Sequence, residues 1–125
     1  MASRIFSYED ARALIPRVRE LTEEAHQRME SIRDQLNAQT PGSKSASKLS
    51  EWINQLIQDW ADEIESLGAQ SKGLWTVDFD SGEGLYYCWT RGETDLTHFH
   101  HYEEGFAGRR PLTEIGKDLP PPLLN

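Results

Sequence analysis

The chain has 125 residues, a formal net charge of −8, 37% hydrophobic residues and four tryptophans. This suits one domain with a real apolar core and excludes a disordered chain. The acid excess is even, −4 in residues 1–70 (8 basic, 12 acidic) and −4 in residues 71–125 (5 basic, 9 acidic), so no segment is basic enough for broad contact with nucleic acid.

Ser7-Tyr8-Glu9-Asp10 predicts a helix start. The serine can accept from a first-turn amide, and the two acids favour the positive helix end. Ala11, Leu14, Ile15, Val18, Leu21, Ala25, Met29, Ile32 and Leu36 then recur at three- and four-residue steps, predicting an amphipathic helix over about residues 8–38. Pro16 removes one backbone bond and predicts a kink near the second turn. Thr40-Pro41-Gly42-Ser43 breaks the pattern, and the small polar run Lys44–Lys48 reads as a mobile loop. A second stripe follows: Leu49, Trp52, Ile53, Leu56, Ile57, Trp60, Ile64 and Leu67, with Gly68 placed to end it. Trp52 and Trp60 share a face and read as packing residues. The two stripes predict an antiparallel helical hairpin over about residues 8–68. Its apolar faces need a third surface, and a second copy of the chain can supply part of it, so a homo-oligomer through the helices is expected.

Beyond Lys72 the period changes. Trp75, Val77 and Phe79 alternate with Thr76, Asp78 and Asp80, a strand pattern. Asp80–Gly84 turns the chain, Leu85–Trp89 gives an aromatic-rich second strand, Arg91–Thr94 turns again, and Leu96–His101 gives a third. Gly105–Leu112 reads as an ordered loop, and the tail 113–125, with Pro120-Pro121-Pro122, as extended. The expected architecture is α+β: one domain over 1–125, its kinked hairpin packed on a three-stranded antiparallel β-meander, with meander and loop over about 74–112.

Tyr86–Leu112 concentrates the unusual chemistry: the only cysteine, three of the four histidines and Arg109-Arg110. A single cysteine excludes an intrachain disulfide and a multi-cysteine zinc site, and fits a reducing cytosol. The chain shows no leader-like apolar run and no window near the ~20 apolar residues of a membrane span, so a soluble cytoplasmic protein without membrane contact is expected. On a strand His98 and His100 share a face and His101 points away. Two such imidazoles can hold zinc or another late divalent ion if Glu93, Glu103, Glu104 or Cys88 adds a ligand. Equally, they are surface histidines bonded to nearby carboxylates. Glu93 and His100 are the candidate catalytic pair for proton transfer, although such a pair can also simply hold a hairpin end. Cys88, mid-strand between aromatics, reads as a buried structural thiol rather than a nucleophile. Arg109 and Arg110 follow Gly105-Phe106-Ala107-Gly108 and offer planar forks for a small anion, with Trp89 among the aromatics that can line a pocket. The competing role for one arginine is to pair with Asp78, Asp80 or Glu93 and lock the loop onto the sheet.

The block CWTRGETDLTHFHHYEEGFAGRRPL resembles the DUF2203 family, small bacterial and archaeal proteins of unknown function. The resemblance rests on Cys88-Trp89, Gly92-Glu93, Phe99-His100, Gly105-Phe106, Gly108-Arg109 and Pro111, with the opening FSYEDARALIPRVREL and Val77-Asp78-Phe79 as further elements. The family carries tryptophan where this chain has Phe99. The resemblance implies no activity. From the residues, the expected function is a small binding or interaction module with a polar strand-loop site for a metal ion or small anionic ligand. The alternative is a small metal-assisted or Glu-His acid-base hydrolase.

Overall fold

The computed structural model describes residues 4–115. Helix α1 spans Tyr8–Asn37. Ser7 caps it, its hydroxyl accepting from the Asp10 amide at 3.1 Å. Ala11, Ile15, Val18, Leu21, Thr22, Ala25 and Met29 form its buried stripe. The helix continues unbroken across Pro16, where the sequence predicts a kink. Pro16 and Arg12 are both exposed, so water can serve the Arg12 carbonyl that loses its amide partner.

Helix α2 spans Lys44–Ser66 and takes in the run expected to be a mobile loop. Ser43 caps this helix as well, accepting from the Ala46 amide at 3.1 Å. Ala46 and Leu49 are buried, so a good cap and one small residue facing inward override a linker-like composition. The hairpin is pinned by Trp60, whose Nε1 donates to the buried Thr22 hydroxyl at 2.9 Å. Trp52, expected to pack beside Trp60, is instead half exposed. Gly68 ends the segment at φ +91°, with the Arg4 side chain so close that a Cβ would lie 2.4 Å from its Cγ.

The sheet has five antiparallel strands rather than three, in the order β1-β2-β3-β4-β5. The expected meander is β2 (Thr76–Asp80), β3 (Leu85–Thr90) and β4 (His98–His101). β1 (Gln70–Ser71) and β5 (Arg110–Pro111) flank it. Each outer strand is two residues long, too short to leave a periodic pattern. The Gly105–Leu112 loop thus holds β5 and a 3₁₀ turn, Phe106–Gly108. The expected extended tail, 113–125, begins instead inside a second 3₁₀ turn, Leu112–Glu114, and from 116 onward it lies outside the described residues.

Val77, Phe79, Tyr87 and Trp89 face the helices and join the core with Ile15, Val18, Trp60 and Ile64. Trp75 enters this core with a left-handed backbone, φ +63°, the only such non-glycine residue among those described. Trp60 packs edge-on against its ring at 5.0 Å, and its carbonyl accepts from the Thr90 hydroxyl and the Arg91 amide. Packing and two hydrogen bonds hold a backbone state that a bulky residue otherwise avoids. No helix among the described residues is long and apolar enough to cross a membrane.

Candidate metal centre

The other sheet face carries Asp78, Cys88, His98 and His100, one phase of the strand alternation. The register sets Asp78 opposite Cys88 across β2 and β3, and Cys88 opposite His98 across β3 and β4. His100 therefore sits diagonally from Cys88, within reach of a long side chain. Asp78, Cys88 and His100 are 2%, 0% and 3% exposed. One ligand atom from each, a carboxylate oxygen, Sγ and a ring nitrogen, all lie within 4.8 Å of one another.

The hydrogen bonds of His100 define the chemistry. Nδ1 lies 2.9 Å from the His101 carbonyl oxygen, which can only accept, so Nδ1 carries a proton. In a neutral ring Nε2 is then a bare lone pair, and it faces Asp78 Oδ2 at 2.9 Å. Two lone pairs repel at that distance, so a cation belongs between them: a second ring proton or a metal ion. Asp78 Oδ1 is buried and has no hydrogen-bond partner, a state that costs roughly 1–3 kcal/mol when nothing compensates it.

Burial pushes the Cys88 thiol up to about 12, the Asp78 carboxylate adds to the rise and Arg109 opposes it. An unligated thiol of that kind is protonated at neutral pH and is no nucleophile. A bound metal ion would take the place of the proton. Arg109 Nε donates to Cys88 Sγ at 3.3 Å and its terminal nitrogen to the Cys88 carbonyl at 3.0 Å. The same nitrogen reaches both Glu93 oxygens at 2.7 and 2.9 Å. Glu93 also accepts from the Thr90 amide at 2.8 Å, closing its own turn. Arg109 thus plays the loop-locking role, with Glu93 as its partner.

The structure divides the residues singled out from sequence. His98 Nδ1 lies 3.3 Å from Glu93, so His98, Glu93 and Arg109 form one cluster. His100 joins Asp78 and Cys88 in another, and Arg109 links the two. The expected Glu93–His100 pair does not form, because the carboxylate that reaches His100 comes from β2. His98, His100 and Glu93 therefore do not converge as one ligand set. Trp89 is buried on the helix-facing side, its Nε1 donating to the Glu93 carbonyl, and does not line this face. Arg110 lies with its guanidinium 5.4 Å from the Phe99 ring centre and 3.7 Å from Glu104, away from Arg109.

Asp78 is the functional candidate that sequence reasoning missed as a ligand. Its chain distance from His100 hid it; the available signal was an aspartate in mid-strand, where the type is depleted. A cleft of about 140 Å³ opens over the triad, bounded by Lys72, Tyr86, Tyr102, Glu104 and Phe106.

A family model described as "Uncharacterized conserved protein (DUF2203)" matches residues 4–112. No curated protein and no solved structure matches the chain.

Proposed function

The chain belongs to the DUF2203 family, whose description names no activity, and we propose that it is a metal-binding module. Asp78, Cys88 and His100 hold one divalent ion of the zinc type, with a coordination position left open to the cleft. The observation that carries this is the buried convergence of Asp78, Cys88 and His100, one ligand atom of each within 4.8 Å of the others, with the unpaired Asp78 Oδ1 beside them. A histidine whose other nitrogen is spent on a backbone carbonyl is oriented as metal ligands usually are.

The donor set fits. Mixed oxygen, nitrogen and sulfur ligands suit a borderline-soft ion, and one carboxylate plus one thiolate neutralise its two charges in a buried place. Two light-atom ligands on a tetrahedral zinc ion at about 2.0–2.1 Å stand about 3.3 Å apart. The 2.9 Å separation needs to open by only a few tenths of an ångström.

Untagged protein, dialysed against zinc or cobalt and then against buffer, should retain about one ion per chain, with thiolate-to-cobalt charge transfer in the near ultraviolet. Asp78→Ala, Cys88→Ser and His100→Ala should each abolish retention. No uptake by the folded wild-type chain overturns the proposal.

A metal-assisted hydrolase is the second reading. Three protein donors with one free position under an open cleft favour it, since that is the pattern of catalytic rather than structural zinc. Self-association through the helices belongs to the same proposal, supported by Trp52, which lies half exposed beside Ile32 and Leu56 in a surface groove.

A further inference from the structure

Resting on the metal reading, we infer that the cleft takes a small aromatic carboxylate, its anionic oxygen on the open metal position and its ring among the rim aromatics. Size comes first. The cleft holds about 140 Å³, and an apolar cavity of about 150 Å³ accommodates one benzene. One six-membered ring therefore fills the cleft, its far edge standing in the open mouth beside Tyr102 and Phe106.

The rim supplies the second observation. Tyr102 and Phe106 are 41% and 55% exposed, and both border the same opening. Tyr86 forms its wall, 5.0 Å from the Tyr102 ring and 5.4 Å from the His100 ring. Three aromatic side chains around one small opening, two of them about half exposed, offer ring faces and edges at the spacing that aromatic pairs prefer. An aliphatic ligand of equal volume would use the space but not that geometry.

Charge is the third. Lys72 is the cation among the described residues lining the cleft, its Nζ 5.5 Å from the Tyr86 ring centre, with the Arg109 guanidinium behind the rim, 4.9 Å from the Phe106 ring centre. With Asp78 and Cys88 neutralising the ion, the ammonium is left to face an incoming carboxylate. Glu104 opposes it, but that carboxylate is drawn off by the His101 amide at 3.2 Å and by Arg110.

The test uses full-length cobalt-loaded protein titrated with benzoate, cyclohexanecarboxylate and acetate, read by the cobalt d–d spectrum and calorimetry. Benzoate should shift the spectrum saturably and bind about 2- to 13-fold more tightly than cyclohexanecarboxylate, the range expected of an aromatic pair. Acetate should be weaker still. Phe106→Leu should erase most of the benzoate advantage while leaving cobalt uptake unchanged, and Lys72→Gln should weaken all three carboxylates alike. Cobalt uptake with no spectral response to any carboxylate, or equal affinity for benzoate and cyclohexanecarboxylate, overturns the ligand assignment alone. A chain that takes up no cobalt overturns both this inference and the metal centre beneath it.

Discussion

Replacing Asp78 by asparagine tests the metal ligand through the response of stability to zinc. The asparagine amide has the shape of the carboxylate, and its NH₂ can donate to the His100 Nε2 lone pair across the 2.9 Å contact. The amide oxygen then takes the place of Oδ1 and still lacks a partner, but it carries no charge. In chelator, Asp78→Asn should therefore unfold within about 1 kcal/mol of wild type. With zinc at a hundred times its dissociation constant, wild type should gain about 2.7 kcal/mol, and the variant almost none. For a chain of this length each kcal/mol is worth about 3–5 °C, so the wild-type midpoint should rise by roughly 8–13 °C. Calorimetric scans of both proteins, with zinc and with chelator, measure all four states. A wild-type midpoint indifferent to zinc would refute the reasoning.

In chelator the folded chain should resist thiol labelling. Raising Cys88 from the ordinary 9.0 to about 12 cuts its thiolate fraction by about a thousandfold, and denaturant should restore the ordinary rate; fast labelling of native protein contradicts this. Glu93→Ala strips Arg109 and the Thr90 amide of a shared partner, so urea unfolding should show a loss of about 2–4 kcal/mol, and a loss below 0.5 kcal/mol would count against the locking role. The Arg12 guanidinium holds the exposed Asp95 carboxyl below its ordinary 3.8. The stabilisation this brings is therefore present above that value and lost as the pH falls below it; Asp95→Asn should flatten the acid limb of the stability profile, and identical limbs would disprove the linkage. Light scattering at micromolar concentration should give twice the 14.3 kDa chain mass, reduced to one chain by Trp52→Glu; a wild-type monomer ends the self-association proposal.

Much of the architecture was written in short-range pattern. The stripe from Ala11 to Met29 and the alternation through Val77 and Phe79 each carry a period that one kind of element can satisfy, so helices and central strands were legible. Lys44–Lys48 was not, because its helix depends on a single capping hydroxyl from Ser43 while its composition resembles a linker. β1 and β5 exist only through pairing with a longer neighbour, information that no two-residue segment contains. Within the site, residue types near one another in sequence were noticed: His98, His100, Glu93 and Arg109. The turn after β3 sets Glu93 beside His98, and the pairing of β5 with β4 returns Arg109 to it. The partner of His100 follows instead from the register of three strands, and a shift of one residue would have turned Asp78 toward the helices. The tautomer of His100 was illegible for a similar reason, since it depends on where the His101 carbonyl points.

The three donors come from consecutive strands, and the segment that roofs them, Tyr102–Arg109, follows the last donor in the chain. Arg109 ties that segment back to Cys88 and Glu93, so a single guanidinium couples the order of the cover to the order of the donors beneath it.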